Sequence, residues 1–150
     1  MLKKITICLI LLIFVAGCDY SPIHNNKKNN IEIKITSIAG DREINDYLYK
    51  DLKRKSKSSS KKIKVKINTS FTKRVLAKDT KSFATDYELK VVGNFELKNE
   101  NNSQKFTISE KFRYKNLNDK YEQNNYEKMI KRNLTKTIAS KLILRINNFK

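Results

Sequence analysis

The sequence has very few of the residues on which catalysis, metal binding and disulfide frameworks depend. Among its 150 residues there are one histidine, two cysteines and three glycines. The histidine, His24, lies in a polar N-terminal segment, and no cysteine follows Cys18, so the chain beyond that point offers neither a thiolate metal site nor a disulfide framework. Glycines this scattered exclude a glycine-rich phosphate loop. The sequence therefore predicts a protein that is not an enzyme, with no catalytic residue, no metal site and no cofactor.

Long apolar runs are also missing, apart from one near the N-terminus. Residues 5–15 are apolar except for Thr6, follow a short basic start and precede the small residues Ala16 and Gly17. A helix needs roughly 20 apolar residues to cross a bilayer, and this run is too short. A basic start, an apolar centre and a small-residue end are typical of a secretory signal. Residues 1–17 are therefore predicted to be a signal peptide.

The end of this run, Val15-Ala16-Gly17-Cys18, resembles the bacterial lipobox. In that motif, small residues precede a cysteine that is acylated and becomes the new N-terminus. The resemblance implies lipidation of Cys18; several acyl chains, each contributing about 0.8 kcal/mol per buried CH₂, hold a protein stably on a membrane. Residues 18–30, which contain the only proline, would then be the lipidated cysteine and a tether. The alternative is an ordinary signal peptide followed by an unmodified cysteine.

Acidic residues are scarce compared with basic ones. The 33 lysines and arginines outweigh 15 aspartates and glutamates, for a formal net charge of +18, and such a surface attracts anionic partners. In a cytosolic protein the basic tract at residues 50–62 would indicate nucleic acid, but an exported protein meets anionic lipid head groups and the phosphates of lipopolysaccharide. The sequence therefore predicts an anionic lipid as partner and no nucleic acid. The alternative is coding bias, because lysine, asparagine and isoleucine are all abundant.

Apolar residues alternate with polar ones in four segments, which predicts four strands. These segments are Ile31 to about Ile38, Ile63 to Phe71, Tyr87 to Leu97, and Phe106 to Tyr114. Gly93, inside the third, indicates a bulge or a point of close contact. Residues 98–104 are predicted to form a polar hairpin loop, and the short connections between the last three strands favour antiparallel pairing.

Two other segments repeat their apolar residues at the helical period. Asp41 is placed to cap a helix over residues 42 to about 54. Asn124 and Glu127 resemble a capping box at the start of a long helix that continues to about residue 147.

The serine- and lysine-rich segment 55–62 is predicted to be a loop between the first helix and the second strand. The elements predict one α+β domain at residues 31–150, in the order β-α-β-β-β-α. Two amphipathic helices on one face of a four-stranded, mostly antiparallel sheet bury both apolar stripes, so the prediction is a two-layer sandwich.

The candidate residues for binding an anionic lipid lie near the ends of the second and fourth strands: Lys73, Arg74, Lys78, Arg113 and Lys115. Lysine and arginine pair with lipid phosphates, and arginine does so in bidentate fashion. Arginine is scarce in this chain, so coding bias explains Arg74 and Arg113 less readily than it explains the lysines. The alternative is that these side chains form an ordinary solvated face.

The chain resembles the LptE family, the small lipoproteins of the outer-membrane lipopolysaccharide translocon. Family members often read Cys-Gly-aromatic-x-Pro-Leu after the signal, and Cys18, Tyr20, Pro22 and Ile23 match or approach this pattern. The stretches SFATDYELKVVGNFEL and NYEKMIKRNLTKTIASKLILRI resemble the family's third strand and final helix. The resemblance implies a lipid-anchored protein on the periplasmic side of the outer membrane. It also implies that the protein plugs the LptD β-barrel, assists the barrel's assembly and binds lipopolysaccharide.

One residue departs from the family pattern. Asp19 stands where the family usually has glycine, and aspartate after a lipidated cysteine is an inner-membrane retention signal in some enteric bacteria. The alternative function is therefore a periplasm-facing lipoprotein that assists an inner-membrane transporter or binds a soluble anionic ligand.

Overall fold

A computed structural model describes residues 31–149, in which two helices and four strands follow one another in the predicted order. We label the elements β1 (Glu32–Gly40), α1 (Arg42–Lys55), β2 (Lys62–Lys78), β3 (Ala84–Lys98), β4 (Ser103–Lys115) and α2 (Lys120–Asn148). The α+β class and the order β-α-β-β-β-α are thereby confirmed. The predicted signal peptide, Cys18, Asp19 and the tether lie outside the described residues.

The four strands form one sheet in the spatial order β1-β2-β3-β4. β1 and β2 are parallel because α1 connects them, whereas β2–β3 and β3–β4 are antiparallel pairs joined by short loops. The sheet is therefore mixed and mostly antiparallel, as predicted.

Both helices pack on one face of this sheet, which we call the helix face. Alternate residues of β2 and β3 point into it and are buried together with one stripe of each helix: Ile44, Leu48, Leu52, Ile63, Val65, Leu89, Val91, Leu97, Ile138, Leu142 and Ile146 are among the least exposed side chains. Burial of each of these side chains contributes about 1.5–3 kcal/mol.

Within residues 31–149, no helix is both long and apolar enough to cross a membrane.

The opposite side of the sheet, which we call the open face, is not covered by any described element. From Lys62 to Ser70 the residues of β2 alternate strictly between exposed and buried, because successive strand residues point to opposite sides of a sheet. Polar side chains of all four strands therefore face outward together on this side.

Glycine is needed where β1 turns into α1. Gly40 has a φ of +97°, and a Cβ at this position would lie 1.8 Å from the backbone oxygen of Thr69. The backbone N–H of Asp41 then bonds to the same oxygen, and the Asp41 carboxylate accepts the backbone N–H of Ile44 at 3.0 Å. The predicted cap of the first helix is confirmed.

Gly93 marks a close contact. Strand pairing runs through it without a break on both sides, so the bulge suggested by the sequence is wrong. The ring of Phe95 occupies the space of the missing side chain, since a Cβ on Gly93 would lie 2.4 Å from the ring's Cζ atom.

Two boundary predictions were wrong by more than three residues. β2 continues from Phe71 to Lys78, because its polar residues beyond Phe71 still pair with β3. α2 begins at Lys120, where the Asp119 side chain accepts the backbone N–H of Glu122 at 2.8 Å. Asn124 and Glu127, predicted as a capping box, therefore lie inside the helix.

Candidate functional site

The open face of the sheet carries mostly basic side chains. Residues directly opposite each other in neighbouring strands point to the same side of a sheet, so the register assigns each side chain to a face. The basic residues on the open face are Lys34, Lys62, Lys64, Lys66, Arg74, Lys78, Lys90, Lys98, Lys105, Lys111, Arg113 and Lys115, and the acidic ones are Glu32, Asp86, Glu88 and Glu96. The excess of cations makes this face attractive to polyanions.

The two arginines predicted as site residues converge on one carboxylate. Arg74, Glu88 and Arg113 occupy one cross-strand row of β2, β3 and β4. The Nη2 atom of Arg74 donates to Oε1 of Glu88 at 2.5 Å, and Nε of Arg113 donates to Oε2 at 3.2 Å. Lys111 adds a third cation, with Nζ 4.0 Å from Oε2. We call these four side chains the Glu88 cluster.

The Glu88 cluster has a buried anion and exposed cations. The side chain of Glu88 is 2% exposed, whereas those of Arg74 and Arg113 are 60% and 66% exposed. The carboxylate is thus covered by the side chains around it and not by the body of the protein. Hydrogen bonds from Arg74 and then from Arg113 outweigh this burial and hold the pKa of Glu88 below its usual value. Glu88 is therefore a carboxylate at neutral pH, with three basic groups presented to solvent around it.

Lys78 and Lys115, the other two predicted lysines on the open face, lie beyond the Glu88 cluster. Lys78 is the last residue of β2 and is exposed, and Lys115 is the last residue of β4, opposite Asp86 in the register. In the described part of the chain, neither lysine has a carboxylate within 4.0 Å. They extend the basic surface toward the end of the long β2–β3 hairpin.

Lys73 is separated from this group because it points to the helix face. Its Nζ atom donates to Oε1 of Glu127 on α2 at 2.6 Å and lies 4.4 Å from the centre of the Tyr87 ring. Glu127 also accepts hydrogen bonds from the Tyr114 hydroxyl and from Nε2 of Gln123. Together these contacts join the first turns of α2 to β2 and β4.

Two pKa values reflect this network around Glu127. Burial by itself would raise the pKa of Glu127, but hydrogen bonds from Lys73, Tyr114 and Gln123 outweigh it and lower the pKa. Burial and the bond to the Glu127 carboxylate raise the pKa of the Tyr114 hydroxyl. Glu127 is thus held as an anion, and the first contacts of Lys73 are structural.

Sequence reasoning missed Glu88 and Lys111. Glu88 lies between the apolar residues Tyr87 and Leu89, so its outward direction was readable from the strand alternation. Its partners were not readable, because they depend on the register of two hairpins. Lys111 could not be distinguished from the many other lysines for the same reason.

The fold is shared with solved bacterial lipoproteins. The structure of rare lipoprotein B from Shewanella oneidensis superposes with a TM-score of 0.62 at 12% identity, covering 80% of this chain and 95% of that one. Lipoprotein B from Nitrosomonas europaea superposes with a TM-score of 0.53 at 14% identity, covering 80% of this chain and 86% of the other. At such low identities the similarity shows the fold alone.

Sequence comparison matches this chain to a family model but to no curated protein. No curated protein matches the chain significantly. A family model described as LptE, lipopolysaccharide-assembly, matches residues 29–146. This range contains all four strands and nearly all of α2, and the match extends over most of the chain. The chain therefore belongs to the LptE family of lipopolysaccharide-assembly proteins.

Proposed function

We propose that this protein is a lipoprotein subunit of the outer-membrane lipopolysaccharide translocon. In this role it occupies the lumen of the LptD β-barrel, assists assembly of that barrel and binds lipopolysaccharide during its insertion. The observation that carries the proposal is the family match over residues 29–146. The role is one of binding and positioning, without a catalytic step.

The shape and polarity of the domain support docking inside a barrel. The interior of a large outer-membrane barrel is polar and filled with water, so a plug needs a rigid domain with a polar exterior. The open face offers polar and charged side chains from all four strands. At one end of the β2–β3 hairpin, Val75, Leu76 and Phe83 are 43–68% exposed, and exposed apolar groups of this kind favour contact with a partner.

The basic open face supports binding of lipopolysaccharide. Phosphate groups prefer arginine because its planar guanidinium donates hydrogen bonds in pairs. Arg74 and Arg113, with Lys111 beside them, are the best-organised cations on this face. We propose them as the centre of the lipid-phosphate site, with Lys78 and Lys115 at its edge. The participation of Lys73 remains a prediction, and its ammonium would have to leave Glu127 to bind a ligand.

Neutralising both arginines tests this site. Because Glu88 lies between them, charge reversal would gather three carboxylates, so glutamine is the cleaner replacement. We expect Arg74→Gln with Arg113→Gln to weaken binding of purified lipopolysaccharide at physiological salt by at least about tenfold, the loss of one charge-assisted hydrogen bond or more. The matched control is Lys64→Gln with Lys98→Gln, an opposed pair at the other end of the same face. Equal losses in both variants would mean that only the general charge attracts the lipid.

Membrane anchoring through Cys18 is the second part of the proposal. Replacement of Cys18 by alanine removes the thiol that would carry the acyl chains, so the exported domain should move from the membrane fraction to the soluble periplasmic fraction. If the Cys18→Ala protein has lost its signal peptide, as checked by mass spectrometry, and still stays in the membrane pellet after a detergent-free high-salt wash that removes bound partners, lipid anchoring at this residue is contradicted.

Asp19 favours a second candidate, a lipoprotein of the inner membrane that assists a transporter or binds a soluble anionic ligand. Density-gradient separation of the two membranes distinguishes the candidates, because the translocon subunit should sediment with the outer membrane. The change Asp19→Gly should leave its position unaltered if the aspartate carries no retention signal in this organism.

A further inference from the structure

We propose that Glu88 is a positioning residue that holds Arg74, Lys111 and Arg113 as a preformed site for a phosphate monoester. This inference rests on the proposed function, since it concerns how the lipid's phosphate is recognised on the open face. The acidic residue would therefore increase affinity for an anionic ligand, which is the opposite of what its charge alone predicts.

The geometry assigns a different arginine to each oxygen of the carboxylate. Arg74 bonds to Oε1 at 2.5 Å and Arg113 bonds to Oε2 at 3.2 Å, while Lys111 lies 4.0 Å from Oε2. Glu88 is on β3, between the strands that carry the cations, so it draws side chains from both sides toward one point. A single carboxylate thus fixes the position of two guanidinium groups that belong to different hairpin strands.

The cluster keeps both charge and donors available for a ligand. Three positive charges around one negative charge leave a net charge of +2. A guanidinium has five N–H donors, and the bonds to Glu88 engage Nη2 of Arg74 and Nε of Arg113. The two arginine side chains remain 60% and 66% exposed. A phosphate monoester carries a charge of about −1.5 to −2 at pH 7 and has three acceptor oxygens, which complements this arrangement.

The physical benefit of Glu88 is preorganisation. An exposed arginine samples many rotamers, and a ligand that binds it must restrict them. Two arginines and a lysine without an anion between them would also repel one another and separate. By ordering the cations before the ligand arrives, Glu88 removes both costs from the binding step.

A purely electrostatic role for Glu88 makes the opposite prediction. If the carboxylate only lowers the positive charge of the face, its removal should strengthen the binding of every anion. The sign of the effect of Glu88→Gln therefore separates the two explanations. Glu96→Gln is a matched control because Glu96 lies on the same strand and the same face, but its only described cation is Lys66 at 3.7 Å.

The experiment measures binding by the full-length protein, purified in detergent with any barrel partner retained. The probes are bis-phosphorylated lipid A, inorganic phosphate as a competitor, and phosphatidylglycerol vesicles, whose head groups are phosphodiesters. We expect Glu88→Gln to weaken binding of lipid A by about tenfold, equivalent to about 1.4 kcal/mol. Glu96→Gln should bind as tightly as the wild type or slightly tighter, and inorganic phosphate should compete less well in Glu88→Gln than in the wild type.

A second variant keeps the negative charge at position 88 and changes only the length of the side chain. Glu88→Asp shortens the side chain by one methylene, so its carboxylate no longer spans both arginines while the net charge of the protein is unaltered. We expect this variant also to lose lipid A affinity, whereas an electrostatic role predicts wild-type binding. Because Glu88→Asp retains the anion, it also decides the question if Glu88→Gln does not fold, as judged by circular dichroism.

The outcomes separate this inference from the proposed function. If the wild type binds lipid A but Glu88→Gln and Glu88→Asp bind it equally well or better, Glu88 is not a positioning residue, and the lipopolysaccharide-binding role is unaffected. If the variants bind phosphatidylglycerol and lipid A with the same changes, the face responds to a membrane surface and the phosphate monoester site is refuted. If the wild type binds neither lipid A nor phosphate, lipid binding and this inference both fail.

Discussion

The network around Glu127 offers the sharpest test of how the long helix is attached to the sheet. We predict that Glu127→Gln lowers the free energy of unfolding by about 2 kcal/mol, or about thirtyfold in the folding equilibrium. The carboxylate accepts bonds from Lys73 at 2.6 Å, Gln123 at 2.9 Å and the Tyr114 hydroxyl, and its side chain is only 16% exposed. Hydrogen bonds to a charged group each contribute about 1.5–3 kcal/mol.

The sum of these bonds overestimates the effect for two reasons. The amide oxygen of glutamine can still accept one or two of the bonds, and the side chain of Lys73 is 35% exposed, so water replaces part of its partner. The assay is urea unfolding at pH 7, followed by circular dichroism, with the slope against urea checked for constancy.

Glu110→Gln is the matched control for this prediction. Glu110 also joins β4 to α2, but through a single pair with Lys141, whose side chain is 54% exposed. An exposed pair contributes about 0–1 kcal/mol. Equal losses for Glu127→Gln and Glu110→Gln would contradict this prediction, because the convergent hydrogen bonds would then add nothing to an ordinary surface pair.

The loss of stability caused by Glu127→Gln should depend on pH, and its sign follows from the pKa of Glu127. The pKa of Glu127 is lowered in the folded protein, because bonds from Lys73, Tyr114 and Gln123 outweigh the effect of burial. A carboxylate with a lowered pKa contributes stability that is present above its unfolded pKa of about 4.3 and is lost as the pH falls through the folded value. The stability difference between wild type and Glu127→Gln should therefore be constant near pH 7 and decrease below about pH 4. A difference that grew with acidity would contradict the assignment.

Two further variants test the junctions of the fold. Gly40→Ala should cost about 3 kcal/mol or more, or prevent folding, because alanine disfavours a φ of +97° and its Cβ would meet the Thr69 carbonyl; a shift of the urea midpoint worth less than about 1 kcal/mol would contradict this. Lys131→Met should cost about 1–2 kcal/mol in the same assay, since Nζ of Lys131 binds Asp41 at 3.0 Å and Glu43 at 2.9 Å, and its side chain is 12% exposed. An unchanged midpoint for Lys131→Met would mean that this bridge between the two helices is not stabilising.

The predicted cations lie on both faces of the sheet and have different partners. Lys73 follows the helix-face alternation of β2 and is held by Glu127, whereas its neighbour Arg74 points to the open face and bonds to Glu88. Adjacent residues of a strand point in opposite directions, so a cluster in sequence is not a cluster in space. The second arginine bonded to Glu88 is Arg113, which lies 39 positions beyond Arg74 in the chain but in the same cross-strand row.

Local periodicity was enough to predict the elements and their order. The apolar residues of the strands repeat every second position, and those of the helices repeat at three to four, so each buried face was readable in the sequence. Asp41 was readable as a cap for the same reason, since the cap acts within one turn. These predictions needed no knowledge of distant residues.

Features that depend on pairing between strands could not be predicted in this way. The part of β2 beyond Phe71 has no apolar alternation and is a strand only because β3 pairs with it. Glu127 matched a capping pattern with Asn124, yet it lies inside α2 and bonds to Lys73 and Tyr114 of the sheet. Registers between strands are set by the whole fold, and the Glu88 cluster depends on two of them.

The identity of the protein's partner in the cell envelope decides whether it is a subunit of the translocon. The tagged, full-length chain would be purified from gently solubilised envelopes, and the proteins that elute with it would be identified and quantified by mass spectrometry. If the protein is a subunit of the translocon, an outer-membrane β-barrel of the LptD type should elute with it in equal molar amount. Elution with an inner-membrane transporter, or with no stoichiometric partner, would contradict the proposed role in the lipopolysaccharide translocon.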